Sequence, residues 1–121
     1  MTIERVISMV DGTKPNAFTS KDKTQWVSEL EGMIAAEVFL WPPSEIAQVE
    51  YSWPADKKSE LLVIHPHDNI YALWLRAQID NANGETDKYI NSMQMYNEAF
   101  GAFVRWFAGL YEPAQGYERR Y

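Results

Sequence analysis

Seven residues, Tyr89, Met93, Tyr96, Phe100, Phe103, Phe107 and Leu110, follow one another at spacings of 4-3-4-3-4-3. That spacing keeps one face of an α-helix apolar for about six turns, the pattern of a bundle or coiled-coil seam. A strand is excluded, because a period of two would scatter these rings over both faces. A helix this apolar must be covered by others. Phe100 stands mid-seam and is expected to be a keystone of the core.

The cover is legible upstream. Ile70, Leu73, Trp74 and Ala77 form a second helical stripe, opened by His65-Pro66-His67-Asp68, where Pro66 suits a first turn and Asp68 the positive end of the dipole. Asn81-Ala82-Asn83-Gly84 is a left-handed stop, and the seam begins almost at once. So short a link predicts an antiparallel helix pair. At the other end, Thr2 can cap a short helix carrying Ile3, Val6, Ile7 and Val10, closed at Asp11-Gly12. Lys14-Pro15-Asn16 reads as a turn. Thr19 or Ser20 then caps a longer helix with Trp26, Leu30, Met33, Ile34 and Val38 on one face, broken at Trp41-Pro42-Pro43.

Between these helix pairs the period changes. Gln48-Val49-Glu50-Tyr51-Ser52-Trp53 alternates polar and apolar, Pro54 to Ser59 has turn chemistry, and Leu61-Leu62-Val63-Ile64 is a run of β-formers. The expectation is a small β-hairpin over about 46–64, inserted into a mainly α, four-helix bundle-like domain spanning 1–111. Pro113 and Gly116 are expected to end the last helix, leaving 112–121 as an extended C-terminal tail.

Composition narrows the function. With 121 residues, 46% of them hydrophobic, the chain has the size and apolar content of one globular domain. There is no cysteine, which removes disulfide scaffolds, thiolate metal sites and thiol nucleophiles. A net charge of −6 argues against gripping nucleic-acid phosphates. No apolar run is long enough to span a membrane, and the first residues lack a signal-peptide stretch, so a soluble intracellular domain is expected.

Chemistry-bearing constellations are few. His65 and His67, with Asp68, have a spacing that a metal could use, but Pro66 splays them and no third imidazole exists; they read as a turn and cap. Glu29, Glu31 and Glu37 on the second helix read as a solvated face, because Trp26, Leu30, Met33 and Ile34 already take the core side. Gly84 is a lone glycine and no nucleophile–base motif is present. No catalytic, cofactor-binding or metal-ligating residue is singled out, and no cofactor is implied. What one core absorbs less easily is the surplus of aromatics off the helical stripes, and aromatics on loops and tails are interface residues. The candidate partner-binding set is Trp41, Tyr51, Trp53, Lys57 and Lys58 around the hairpin, with Tyr117, Arg119, Arg120 and Tyr121 in the tail.

Five stretches carry a family resemblance: Trp26-Val27-Ser28-Glu29-Leu30-Glu31-Gly32; Leu61-Leu62-Val63 with Pro66-His67-Asp68-Asn69-Ile70-Tyr71; Ala77-Gln78-Ile79-Asp80-Asn81-Ala82-Asn83-Gly84-Glu85; Tyr89-Ile90-Asn91-Ser92-Met93; and Phe103-Val104-Arg105-Trp106-Phe107. With them the chain resembles the head–tail adaptor, or head-completion, proteins of long-tailed bacteriophages and prophages, over roughly residues 2–110. The resemblance implies a non-enzymatic virion protein of the neck, in the host cytoplasm before assembly. It would form a ring, usually of twelve copies, between the portal protein and a stopper or tail-completion protein. DNA would pass the lumen without sequence-specific binding, and no membrane would be involved. The competing class is an acidic helical regulator that binds a host or phage enzyme.

Overall fold

The computed structural model describes residues 1–116. Five α-helices run in the order α1 (Ile3–Thr13), α2 (Ser20–Glu37), α3 (Pro43–Ile46), α4 (Ile70–Ala82) and α5 (Thr86–Gly116), with a 3-10 turn at Ala47–Val49 after α3. Caps start the first two. Thr2 Oγ1 accepts the Arg5 amide and Thr19 Oγ1 the Asp22 amide, each satisfying a donor that a first turn leaves free. α2 ends where Leu40 adopts φ 57, a left-handed conformation costly for a side chain with a Cβ. That turn brings the Trp41 N–H to the Ala35 carbonyl.

Several boundaries differ from the sequence reading. α1 passes through Gly12 to Thr13 and closes with the Lys14 N–H on the Val10 carbonyl. Residues 65–68 stand before α4 as turns, so Pro66 lies outside the helix that it was expected to open. α5 continues past Pro113 to Gly116, so the expected boundary at 112 falls inside a helix. The link between α4 and α5 is as expected, with Gly84 left-handed at φ 73.

α4 is the central helix. α5 packs along it antiparallel, while α1 and α2 lie on its other side. Enclosed on both sides, α4 buries Ile70, Tyr71, Leu75, Ala77 and Ile79. These join Ile3, Val6, Ile7 and Val10 of α1, Leu30 and Ile34 of α2, and Tyr96 and Phe103 of α5 in one core. Among the described residues α5 has no second helix over it, and its seam is therefore only partly covered. Phe103 is buried, Phe100 is half-buried, and Leu110 is exposed. The keystone is Phe103, not Phe100.

The β-hairpin does not form. Among the described residues the only β-pairing is an isolated antiparallel bridge between Thr2 and Glu60. Residues 43–49 are helical, and 50–69 form an irregular strap across α2 and α4. The alternation does report burial, since Val49 is buried and Tyr51 and Trp53 pack against the core. What it cannot report is where backbone donors go. The Tyr51 N–H donates to Ser28 Oγ, the Leu62 N–H to Glu31 and the Val63 N–H to the Tyr71 hydroxyl. Helix side chains thus replace the neighbouring strand that a hairpin would have supplied.

Candidate functional site

The polar centre of the molecule is Glu31, which sequence reasoning placed in solvent and the structure buries completely (0% exposed). It lies four residues after Val27 and three before Ile34, on the core side of α2, because the helix is rotated relative to a stripe centred on Trp26 and Met33. Glu31 Oε2 accepts the Leu62 amide at 2.7 Å and the Tyr51 hydroxyl at 3.1 Å. Oε1 accepts the Tyr71 hydroxyl at 2.6 Å, and that hydroxyl in turn accepts the Val63 amide at 2.9 Å. Three donors therefore converge on one carboxylate, and the strap is tied to it at both Tyr51 and Leu62. Burial pushes the Glu31 carboxyl up, against the hydrogen bonds from Tyr71, Leu62 and Tyr51 and the positive N-terminus; the net direction is upward. Burial, reinforced by the Glu31 charge, also pushes both tyrosine hydroxyls above their ordinary value. With both oxygens occupied and no exposed surface, Glu31 is a latch for residues 50–63 and has no face for a substrate.

A second polar centre sits where the α1–α2 link meets α4 and α5. Asp80, buried, accepts from Lys14 Nζ at 2.6 Å and from Ser92 Oγ at 2.7 Å. Burial alone would raise its carboxyl, but the Lys14 and Ser92 hydrogen bonds and the Lys14 charge outweigh that and hold it below its usual range. Nearby in sequence, the buried Lys23 pairs with Asp11 at 2.6 Å, and Asp11 also accepts from Asn16. These ion pairs fasten helices to each other. They are satisfied within the fold.

The far end of α5 is aromatic. Phe39 meets Phe107 at 4.9 Å between ring centroids, and His67 meets Trp106 at 5.0 Å. Trp106 is 37% exposed, and Ile90, Met95 and Leu110 on the same helix are each more than half exposed. α5 is 31 residues long, about 46 Å, against about 20 Å for the 13 residues of α4 beneath it. Large apolar side chains are thus left in solvent both beside α4 (Ile90, Met95) and beyond it (Trp106, Leu110), a feature that marks interaction surfaces.

The proposed partner-binding residues fare differently. Tyr51 and Trp53 are half-buried against the core, and the Tyr51 hydroxyl is committed to Glu31. Trp41 is half-buried beyond the end of α2. The Lys57 carbonyl accepts the Glu4 amide, while Lys58 is exposed. Tyr117, Arg119, Arg120 and Tyr121 lie outside the described residues. His65 is exposed and His67 is part of the aromatic end, and Glu29 and Glu37 are exposed. No group of three or more His, Cys, Asp or Glu among the described residues is arranged to hold a metal ion. No helix among them is long and apolar enough to cross a membrane. Compared with protein-family models, curated proteins and solved structures, the chain matches none.

Proposed function

We propose that this chain is a structural, partner-binding protein, the head–tail adaptor of a bacteriophage neck. The observation that carries the partner-binding reading is α5, a rod with exposed Ile90, Met95, Trp106 and Leu110 that its own fold leaves uncovered. The buried acids point the same way. Glu31 and Asp80 are saturated by internal hydrogen bonds and do the work of holding elements together. The phage assignment comes from the sequence resemblance; the order of short helix, long helix and antiparallel helix pair is compatible with it, while the hairpin expected between them is replaced by an irregular strap.

In this reading the unit in the virion is a ring, of twelve copies by resemblance, seated between the portal protein and a stopper or tail-completion protein. A net charge of −6 per subunit multiplies around a ring, and an acidic lumen repels phosphate and lets DNA slide through. The test is attachment of the purified chain to portal-containing, DNA-filled heads, followed by reconstruction of the neck. Density for a ring of this subunit beneath the portal is expected. Failure to attach, together with a one-to-one complex with a host or phage enzyme, would establish the regulator instead.

A further inference from the structure

A groove of about 350 Å³ opens between α1, α4 and α5, apart from both polar centres and from the aromatic end. Asn69, at the cap of α4, and Ala72, Leu73 and Arg76 within it line the groove, at i, i+3, i+4 and i+7. Met9 of α1 and Met95 of α5 border it, 38% and 56% exposed. Two thioethers around Ala72 and Leu73 make an apolar surface that adapts to the shape of an inserted side chain.

Arg76 decides what fits. A guanidinium carries five N–H donors, and here one hydrogen bond engages it, from Nη1 to Thr13 Oγ1 at 2.7 Å. Arg76 makes no ion pair among the described residues. The acid one turn further along α4, Asp80, is already taken by Lys14 and Ser92. Arg5, one turn before Met9 on α1, is likewise without an ion pair among the described residues. In a chain of net charge −6, both of these arginines lack an ion pair among the described residues, and one of them, Arg76, lines an apolar groove. The fork of Arg76 matches a carboxylate in bidentate fashion.

We propose that this groove docks an amphipathic helix of a partner protein, which seats apolar side chains between Met9 and Met95 and offers an Asp or Glu to Arg76. The proposal rests on the partner-binding reading above and adds the site and the partner's chemistry. Asn69 to Arg76 spans about 10 Å, two helical turns, which matches anchors at i and i+4 with an acid at i+7.

The probe is a synthetic helical peptide with Leu at i and i+4 and Glu at i+7, titrated into the isotope-labelled full chain and followed by amide shifts. Shifts centred on Met9, Leu73 and Arg76 are expected. The Glu peptide should bind about tenfold tighter than the same peptide with Lys at i+7, and added salt should narrow that gap. Arg76→Gln should abolish the discrimination, with Arg76→Lys retaining part of it. Met95→Asp, at an exposed position, should weaken both peptides, and unchanged thermal melting shows that each variant is folded. Shifts elsewhere, or equal binding of the Glu and Lys peptides, would overturn the proposal. A chain that attaches to portal-containing heads yet ignores the peptide refutes the groove alone. One that binds the peptide in the groove but never attaches refutes the adaptor reading alone.

Discussion

Replacing Glu31 with Ala should release the strap over residues 50–63. Three donors lose their acceptor at once: the Leu62 amide, the Tyr71 hydroxyl and the Tyr51 hydroxyl. A buried donor left unpaired costs about 1–3 kcal/mol. Tyr71 is fully buried and the Leu62 amide half so, while Tyr51 can turn toward water. Relief from burying a carboxylate offsets part of the loss. The net expectation is a destabilisation of about 3–5 kcal/mol, a large share of a typical ~5–15 kcal/mol total. Two controls divide it. Tyr51→Phe removes one half-buried bond and should cost about 1 kcal/mol. Tyr71→Phe orphans the Val63 amide as well and should cost about 2–4 kcal/mol. Urea unfolding gives the three values, and hydrogen exchange at the Leu62 and Val63 amides reads the strap directly. Those amides should exchange early in Glu31→Ala while the α4 amides stay protected. An unchanged midpoint, or equal costs for Tyr51→Phe and Tyr71→Phe, would refute the latch.

Three further outcomes follow from the same geometry. Glu31 has its carboxyl raised in the fold, so its stabilising contribution is full below the ordinary value of 4.5 and is lost as pH rises through the raised one; the stability gap between wild type and Glu31→Gln should therefore shrink with rising pH in urea titrations, and a constant gap would exclude the shift. Asp80 has the opposite sign, because its lowered carboxyl contributes stability above the ordinary 3.8 that is lost as pH falls through the folded value; Asp80→Asn should cost about 2–3 kcal/mol at neutral pH and much less in acid, measured by thermal melting. Phe103→Ala, at a fully buried ring, should cost about 3–5 kcal/mol, and Phe100→Ala, half-buried, clearly less; the reverse order by chemical denaturation would return the keystone to Phe100.

Local chemistry in the sequence determined a good deal of this protein. The Thr2 and Thr19 caps, the left-handed Gly84 and the antiparallel α4–α5 pair follow from short-range rules: a side chain capping its own helix, a glycine free of Cβ clash, a link too short for any other geometry. The apolar seam of α5 was equally plain as a helix. How much of that seam is covered was not, because coverage depends on where α1, α2 and α4 end in space. Phe100 and Phe103 share the stripe, and only packing makes one of them half-exposed. The strap shows the same division. Alternation at Val49, Tyr51 and Trp53 marked residues that face inward, and they do, but a strand also needs a neighbour for its N–H and C=O groups. Here Ser28, Glu31 and Tyr71, distant in sequence, supply the partners, and the backbone stays irregular. Glu31 is the sharpest case. The stripe of Trp26, Leu30, Met33 and Ile34 left it on a solvated face, yet the structure buries it, and a lone carboxylate in the core is costly until Leu62, Tyr51 and Tyr71 arrive to satisfy it. Those three donors come from two other parts of the chain, so only the assembled tertiary structure can make the burial of that charge tolerable.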